Sequence, residues 1–429
     1  MLLDERSSGT EQETFPTLKI TAPTPGHASI KKTTIPEQWH QCTPELRLLL
    51  HAASEQLGHP VASALPLAPS PLNWQHVLYL AKRHRLTAIL HGYLTSHPEM
   101  QPPELLTKAL NSYCLAQTRQ HLLKAGELRQ IITATQSNGI TIIPYKGPVF
   151  GETAYGSLAL REFSDLDLLV QPKDLPAVTD ILSKQGYQVN SELPSDWQQV
   201  VTSPNTKDIT LSGADRSIYL ELHWQLARTY QGFDLPIRQL FERAISSEWM
   251  DIYLPLLSPE DTLLVHSFNA AKDRWNRISL IVDIAMLLKS CPELDWDYLM
   301  QTAEHYHLDR RLKLALWLPM ALFGIKLPEH LISNINTDTA IQKLGNEVLR
   351  WHASEKEISF WGIRKNLFTM RMHEHPPYRR RVARRFIREI FTPGAIDRAT
   401  LLLPGYLQLL YIPLRLARIG KKYIKNLFK

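Results

Sequence analysis

The sequence predicts an α+β fold in which a small mixed sheet is embedded between two mainly helical regions. Short apolar, strand-like runs separated by turn residues cluster between residues 126 and 225, whereas apolar residues at helical spacing dominate before and after them. Two of these runs, residues 207–211 and 217–223, flank a turn at residues 212–216 and predict a β-hairpin. The sheet is therefore expected in the middle of the chain.

The 429 residues are enough for two or three domains with a sizeable apolar core. The first 40 residues are rich in Ser, Thr, Pro, Glu and Gly and lack apolar periodicity, which is typical of a disordered segment. The predicted divisions are a disordered leader at 1–40, a helical region at 41–125, the sheet-containing core at 126–225, a helical domain at 226–376 and a basic amphipathic helical tail at 377–429.

Cysteine usage and the start of the chain favour a cytoplasmic protein. The three cysteines, Cys42, Cys114 and Cys291, are too far apart in the sequence to predict a zinc knuckle or a disulfide scaffold. The first residues include acids where an export signal has basic residues, and no apolar run reaches the 18 residues that predict a spanning helix. We therefore expect neither an export signal nor a membrane span.

The formal charge of +6 is concentrated at the C-terminus, because residues 361–429 carry a net charge of +13 and the preceding 360 residues one of −7. Such a basic amphipathic helix can lie on the anionic inner face of a membrane, bind the phosphates of a nucleic acid, or remain a solvated helix packed on its own domain. We favour the membrane over the nucleic acid as a partner. In the first helix of this basic tail, Arg379, Arg380, Arg384 and Arg388 lie opposite Val382, Phe386 and Ile387.

A strand, a glycine turn and a helix are predicted between residues 140 and 156. Residues 140–143 are mostly apolar and β-branched, and Gly147 and Pro148 follow at the point where the backbone turns and a helix begins. The N–H groups at a helix N-terminus suit a phosphate, and Lys146 adds a cation at the same point. The pattern therefore predicts a phosphate-binding turn.

Two aspartates open the next predicted strand, residues 165–170. Side chains at positions i and i+2 of a strand point to the same face, so Asp165 and Asp167 are expected to project together. Two neighbouring carboxylates repel each other, and a bound Mg²⁺ allows both to stay ionised. The alternative is an ordinary strand opening that binds no metal.

A third carboxylate, Glu221, lies between Leu220 and Leu222 in the second arm of the predicted hairpin. A carboxylate flanked by apolar strand residues costs free energy unless it is paired or bound to a metal. The alternative is that strand alternation turns Glu221 to solvent. His223 follows closely and is a candidate to orient a carboxylate or contact a phosphate, or else a histidine with a structural partner.

These residues resemble the motif of the bacterial uncharacterised nucleotidyltransferase family, a branch of the DNA polymerase β-like nucleotidyltransferase superfamily. Gly156 and Ser157 lie closer to the aspartates than the usual Gly-Ser pair of the superfamily, so we expect them in a loop. The positions that carry the resemblance are Lys146, Gly147, Tyr155, Arg161, Ser164, Asp165 and Asp167.

The resemblance implies a Mg²⁺-dependent enzyme that moves an NMP from an NTP to an acceptor hydroxyl. It implies that two Mg²⁺ ions are held by the catalytic residues Asp165, Asp167 and Glu221, with Glu221 also as the base. Members of the family that the chain resembles occur together with functions of polysaccharide synthesis. This association favours sugars or glycolipid precursors as acceptors over a protein or an RNA end. The residues implied to bind the nucleotide are Lys146, Gly147, Arg161 and Ser164.

Two functions of other kinds stay open. One is a non-catalytic nucleotide-binding or scaffold protein at the membrane surface. The other is an RNA-modifying transferase that uses the basic tail, which steep salt dependence of binding would reveal.

Several downstream polar residues need partners. Asp283 lies inside an apolar helical run, so we expect a buried pair with Arg277 or His266, or a position lining the nucleotide pocket. The histidine pairs at 305 and 307 and at 373 and 375 have no Asp, Glu or Cys at matching spacing, so surface histidines are expected there rather than metal ligands.

Overall fold

A computed structural model describes the architecture of eight stretches of the chain. They are residues 42–58, 71–190, 196–203, 206–213, 218–228, 231–355, 363–392 and 410–418. The predicted leader at 1–40 and much of the predicted tail lie outside the described residues.

In the described part of the N-terminal region, the chain forms four α-helices, and the starts of the first two follow local sequence signals. The first begins after Thr43, whose side chain accepts a hydrogen bond from the N–H of Leu46, and ends at Gly58 with a φ of +74°. Asn73 caps the second in the same way. The helices are α1 (Pro44–Leu57), α2 (Trp74–His84), α3 (Thr87–Ser96) and α4 (Glu104–Ser137).

A five-stranded mixed sheet follows, as predicted. Its spatial order is β1-β2-β5-β4-β3, with β2 and β5 parallel and every other neighbouring pair antiparallel. The predicted hairpin is confirmed as β4 and β5. The elements are β1 (Ile142–Pro144), α5 (Gly147–Tyr155), β2 (Asp165–Val170), α6 (Leu175–Lys184), β3 (Gln188–Val189), α7 (Trp197–Thr202), β4 (Asp208–Ser212) and β5 (Tyr219–His223).

The rest of the described chain is mainly helical but includes a small hairpin that the sequence reasoning missed. After α8 (Ile237–Glu242), the strands β6 (Ile245–Trp249) and β7 (Ile252–Leu256) pair as a second, two-stranded sheet. The helices that follow are α9 (Pro259–Lys272), α10 (Ser279–Ser290), α11 (Trp296–His305), α12 (Asp309–Phe323), α13 (Glu329–Thr337), α14 (Thr339–Ala353), α15 (Ile363–Met372) and α16 (Pro376–Phe391).

One of two apolar clusters shows which face of the sheet packs against α4 and α6. Leu166 and Leu168 of β2 and Leu220 and Leu222 of β5 belong to a cluster that also contains residues of α4 and α6. The intervening residues of these strands point to the other face, because side chains alternate along a strand. The face that carries the acidic residues is therefore turned away from α4 and α6.

The larger cluster joins the two helical regions. It contains residues of α1, α2 and α3 together with residues of α9, α10, α12 and α14. Helices from both sides of the core therefore share one apolar interior, and the predicted domain boundaries stay a prediction. None of the helices in the described stretches combines the length and apolarity that crossing a bilayer requires.

Candidate active site

The register between β2 and β5 brings two acidic residues side by side. Asp167 is the direct neighbour of Glu221 in this parallel pair, and Asp165 is the neighbour of Tyr219. Residues paired in this way point to the same face of the sheet. The structure therefore places Asp165, Asp167 and Glu221 on one face, although they come from two separate stretches of the chain.

Asp167 is buried and accepts three hydrogen bonds on one carboxylate oxygen. Its Oδ1 lies 2.9 Å from Nζ of Lys146, 3.1 Å from Nε2 of His223 and 3.3 Å from the hydroxyl of Tyr145. Lys146 and Tyr145 come from the segment between β1 and α5, and His223 from the end of β5. Lys146 therefore contacts the acidic group itself, which couples the glycine turn to the carboxylates.

His223 lies between the acidic residues. Its Nε2 is 3.1 Å from Oε2 of Glu221 as well as from Asp167, and its Nδ1 is 3.5 Å from Asp208. Ligand atoms of Asp167, Glu221 and His223 all lie within 4.8 Å of one another. Of the three roles considered for His223 in the sequence, orienting a carboxylate matches these contacts with Asp167 and Glu221.

The surroundings shift the pKa values of the three acids in different directions. Burial and the charge of Asp167 raise the pKa of Asp165. Burial alone would also raise the pKa of Asp167, but Lys146 and the hydrogen bond from His223 hold it well below its usual value. The hydrogen bond from His223 lowers the pKa of Glu221 despite partial burial. Asp167 and Glu221 are therefore ionised at neutral pH, and Asp165 is the acid that takes up a proton most readily.

The turn at Gly147 fits tightly against β2. Gly147 has a φ of +61°, and a Cβ there would lie 3.4 Å from the backbone oxygen of Asp165. Pro148 follows in the first turn of α5, as expected for a helix start. Gly156, with a φ of +69°, ends the helix, so Gly156 and Ser157 lie in a loop as predicted.

A cavity of about 300 Å³ lies over the acidic face. Its lining includes Asp165, Asp167 and Glu221 together with Lys146, Gly147, Arg161 and Ser164, so all seven residues expected at the site border one space. Three further cations line the same cavity from the helical regions, namely Arg85, Lys272 and Arg277.

Sequence reasoning did not assign these three cations to the site. Arg85 directly follows α2, whereas Lys272 and Arg277 flank the turn between α9 and α10. The Nε atom of Arg277 is buried and has no hydrogen-bond partner among the described residues. The run of charges from Lys272 to Arg277 was visible in the sequence, but nothing in it indicated which face of the sheet it would approach.

Asp283 forms a buried pair and lines the cavity, as expected, but its partner is Arg161, so the predicted partners Arg277 and His266 were wrong. Its two carboxylate oxygens accept hydrogen bonds from Arg161, with Nε at 2.9 Å and Nη2 at 3.1 Å, and Oδ1 also accepts one from the hydroxyl of Tyr155 at 2.6 Å. His266 instead stacks on Phe150, with 3.9 Å between the ring centroids. The bidentate geometry of a guanidinium explains why Arg161 is the partner.

One histidine prediction also needs correction. His305 and His307 are exposed as expected, but His373 is buried. A guanidinium nitrogen of Arg311 lies 2.7 Å from Nδ1 of His373. The buried histidine ring therefore accepts a hydrogen bond from Arg311. His375 is half-buried and stacks on His307 at 4.0 Å.

A mixed sheet that sets adjacent carboxylates beside a lysine and the N-terminus of a helix is an arrangement that suits phosphoryl transfer. A family model described as uncharacterised nucleotidyltransferase matches residues 70–324, which is more than half of the chain. The chain therefore belongs to the uncharacterised nucleotidyltransferase family and is an enzyme of that class. Searches of curated proteins and of solved structures give no match.

Proposed function

We propose that the protein transfers an NMP from an NTP to a hydroxyl group of an acceptor in a Mg²⁺-dependent reaction. The observation that carries the proposal is the register that makes Asp167 and Glu221 direct neighbours, next to the turn that begins α5. This arrangement supports a metal-binding group and a phosphate-binding group within one cavity.

Asp165, Asp167 and Glu221 are the residues that would hold Mg²⁺. Their oxygen atoms are the ligands that a hard cation prefers, and the lowered pKa values of Asp167 and Glu221 keep two of them ionised. His223 touches both of these acids and would fix their orientation. When bound, Mg²⁺ would supply positive charge that offsets the charge of the phosphates and of the acids.

The phosphates of the nucleotide would be bound by Lys146, the backbone N–H groups at Gly147, and Ser164. Arg161 lines the same cavity and would face the nucleotide. It also forms a bidentate ion pair with Asp283, so it has a structural role in the cavity wall as well. Arg85 and Arg277 add cations from the helical regions. Positive groups arranged around the phosphates suit a reaction that is promoted mainly by positioning and electrostatics.

The transfer itself would form a bond between the acceptor oxygen and the α-phosphorus and break the bond between that phosphorus and the oxygen bridging to the β-phosphate. Pyrophosphate leaves, and Glu221 accepts the proton of the acceptor hydroxyl. The hydrogen bond from His223 keeps Glu221 ionised and therefore able to take this proton.

A sugar or glycolipid hydroxyl is the acceptor that we favour, in line with the link to polysaccharide biosynthesis implied by the family resemblance. The exposed arginines of α16 support a peripheral contact with an anionic membrane, where glycolipid precursors are found. The labelling assay that follows tests the acceptor.

The test incubates the purified protein with Mg²⁺, cell extract and each nucleoside triphosphate labelled at the α-phosphate. We expect label transfer that Asp167→Asn lowers by roughly a hundredfold, because the carboxylate is lost from the charged centre. Asp180→Asn is the matched control, since Asp180 is an exposed residue of α6 paired with Lys184. Chelation of Mg²⁺ should abolish the transfer.

The outcomes separate the proposed functions. Label in an organic-solvent or polysaccharide fraction supports the favoured acceptor, whereas label that ribonuclease releases indicates an RNA-modifying transferase. Equal signals from wild type and Asp167→Asn, or no transfer with any nucleotide, would contradict catalysis and favour the non-catalytic scaffold.

A further inference from the structure

A second cavity shares Lys272 with the first and is lined in part by the end of α9 and the turn that follows it. Its volume is about 230 Å³, and residues of α9, α12, α15 and α16 line it. Five cationic side chains border it, and within the described stretches its lining includes no Asp or Glu. These five are Lys272, Arg274, Arg311, Lys365 and Arg385.

Arg311 is the most informative of the five because it is buried, at 4% exposure. Its guanidinium donates hydrogen bonds to the backbone oxygens of Gly232 at 2.5 Å and Gln231 at 2.8 Å, and to the ring of His373. No carboxylate forms a salt bridge with it in the part of the chain that the structure describes. Burial lowers the pKa of Arg311 to about 10 even though Tyr378 and Asp234 act in the opposite direction, so a further anion in the cavity would stabilise the buried charge.

The turn between α9 and α10 supplies cations to both cavities. Arg274 lines the second cavity, Arg277 lines the first, and Lys272 lines both. Burial and the charge of Lys146 lower the pKa of Lys272, although Asp273 and Asp167 act in the opposite direction.

The backbone of this turn is strained. Arg274 and Trp275 have φ values of +55° and +54°, which are left-handed conformations that residues other than glycine rarely adopt. The fully buried ring of Trp275 anchors the turn in the larger apolar cluster. Strain of this kind persists where the surroundings enforce it and often accompanies functional sites.

We propose that the second cavity is an anion-binding site that takes a phosphate monoester group of a ligand other than the NTP. A phosphate monoester carries up to two negative charges and accepts several charge-assisted hydrogen bonds, which matches a lining with several cations. Phe268 and Phe386 also line the cavity and would contact the part of the ligand next to its phosphate. The ligand that we favour is the acceptor of the transfer, bound through a phosphate group. That assignment rests on the proposed function, whereas the binding site does not.

The test measures binding of labelled inorganic phosphate to the full-length protein by equilibrium dialysis, without nucleotide or Mg²⁺. We expect Arg385→Gln to weaken phosphate binding about tenfold, the effect of losing one charge-assisted hydrogen bond. Arg384→Gln is the matched control, because Arg384 is the adjacent residue of α16, is exposed and does not line the cavity. Lys365→Gln is a second variant from another helix, and thermal unfolding verifies that each variant is folded.

A further variant distinguishes the two cavities. Arg277→Gln should retain the phosphate site that Arg385→Gln loses, because Arg277 lines only the first cavity. Equal phosphate affinity in Arg385→Gln, Lys365→Gln and Arg384→Gln would overturn the proposal. A loss confined to Arg277→Gln would do so as well.

Two sources of the phosphate can then be separated with vesicles of phosphatidylcholine alone and with added phosphatidic acid. Sedimentation with the phosphatidic acid vesicles that inorganic phosphate reverses in wild type would identify a lipid headgroup. Phosphate binding without such sedimentation would identify a soluble ligand. Since neither measurement involves nucleotide transfer, failure of the anion site and failure of the proposed enzyme activity are distinguishable.

Discussion

Asp167 is the residue at which the separate parts of the site meet. Lys146 reaches it from the turn before α5, His223 from the end of β5 and Tyr145 from the end of β1. A buried carboxylate is stable only when such partners offset its charge. The same contacts therefore stabilise the fold and hold the carboxylate in place for chemistry.

The pair of Arg161 and Asp283 makes a prediction about stability. Asp283→Asn should lower the free energy of unfolding by about 3–5 kcal/mol, because it leaves the buried guanidinium of Arg161 without a counter-charge. Urea denaturation checks this value. The control is Asp180→Asn, whose exposed pair with Lys184 contributes little, so its midpoint should hardly move. Equal midpoints for the two variants would contradict a structural role for the pair.

The face of the sheet on which the acidic side chains lie was predictable from the sequence, because it depends on alternation along each strand. Asp165 and Asp167 share a face because they are two positions apart on a strand, and Glu221 follows the same rule within its own strand. The partner of Asp283 was predicted wrongly because candidates were sought nearby in the chain. Arg161 lies 122 positions away, and only the packing of α10 against α5 brings it close.

At the scale of elements, the turn between β1 and α5 positions the site through backbone conformation. Its glycine adopts a left-handed conformation where the chain passes close to β2, so a side chain would be strained there. The turn therefore connects the lysine that touches Asp167 directly to the helix N-terminus at the cavity.

Two alanine substitutions test this interpretation. Gly147→Ala should lower the free energy of unfolding by about 1–2 kcal/mol, because its φ of +61° is unfavourable for a residue with a Cβ. Gly126→Ala should instead raise it by about 0.5–1 kcal/mol, since Gly126 lies inside α4 with open space around it. Urea denaturation of both variants gives the comparison. A stabilising effect of Gly147→Ala would show that the turn is not strained.

The hairpin of β6 and β7 shows where element prediction fails. Its strands are five residues long, and the turn between them consists of Met250 and Asp251, both with positive φ. The usual Asn-Gly or Gly-rich signal for such a turn is absent from these two residues. By contrast, Gly147 and Gly156 both have positive φ, the first in the predicted turn and the second where the predicted loop begins.

At the scale of the whole molecule, the two helical regions enclose the acidic face of the sheet from both sides. Arg85 comes from the N-terminal region and Arg277 from the C-terminal region, and both line the cavity over the acids. The helical character of each region was predictable, but their common apolar cluster was not, because periodicity identifies an apolar face without its partner.

Four buried histidines predict how the stability of the whole protein depends on pH. Burial lowers the pKa of His84 to about 2, of His266 and His373 to about 3, and of His352 to about 4. Each of these rings stays neutral in the folded protein. In the unfolded chain a histidine has a pKa of about 6.5, so at a pH below this value the ring takes up a proton when the protein unfolds. Stability is therefore lost as the pH falls from about 6.5 towards 4, by about 2 kcal/mol for each histidine at pH 5.

Urea midpoints at pH 7 and pH 5 measure this effect. We expect a clearly lower midpoint at pH 5 for wild type, and a smaller difference between the two pH values for His266→Gln, which removes one of the four groups. A midpoint that does not change between pH 7 and pH 5 would mean that these rings are protonated in the native protein.

The parallel pairing of β2 and β5 has a consequence for samples recovered from denaturant. A shift of one residue in this pairing would turn a leucine of β5 towards Asp167 and move Glu221 to the opposite face of the sheet. Each molecule therefore either has the complete group of acidic residues or lacks it. Specific activity after refolding should thus scale with the fraction of molecules that reach the native register, while the KM for the nucleotide stays the same.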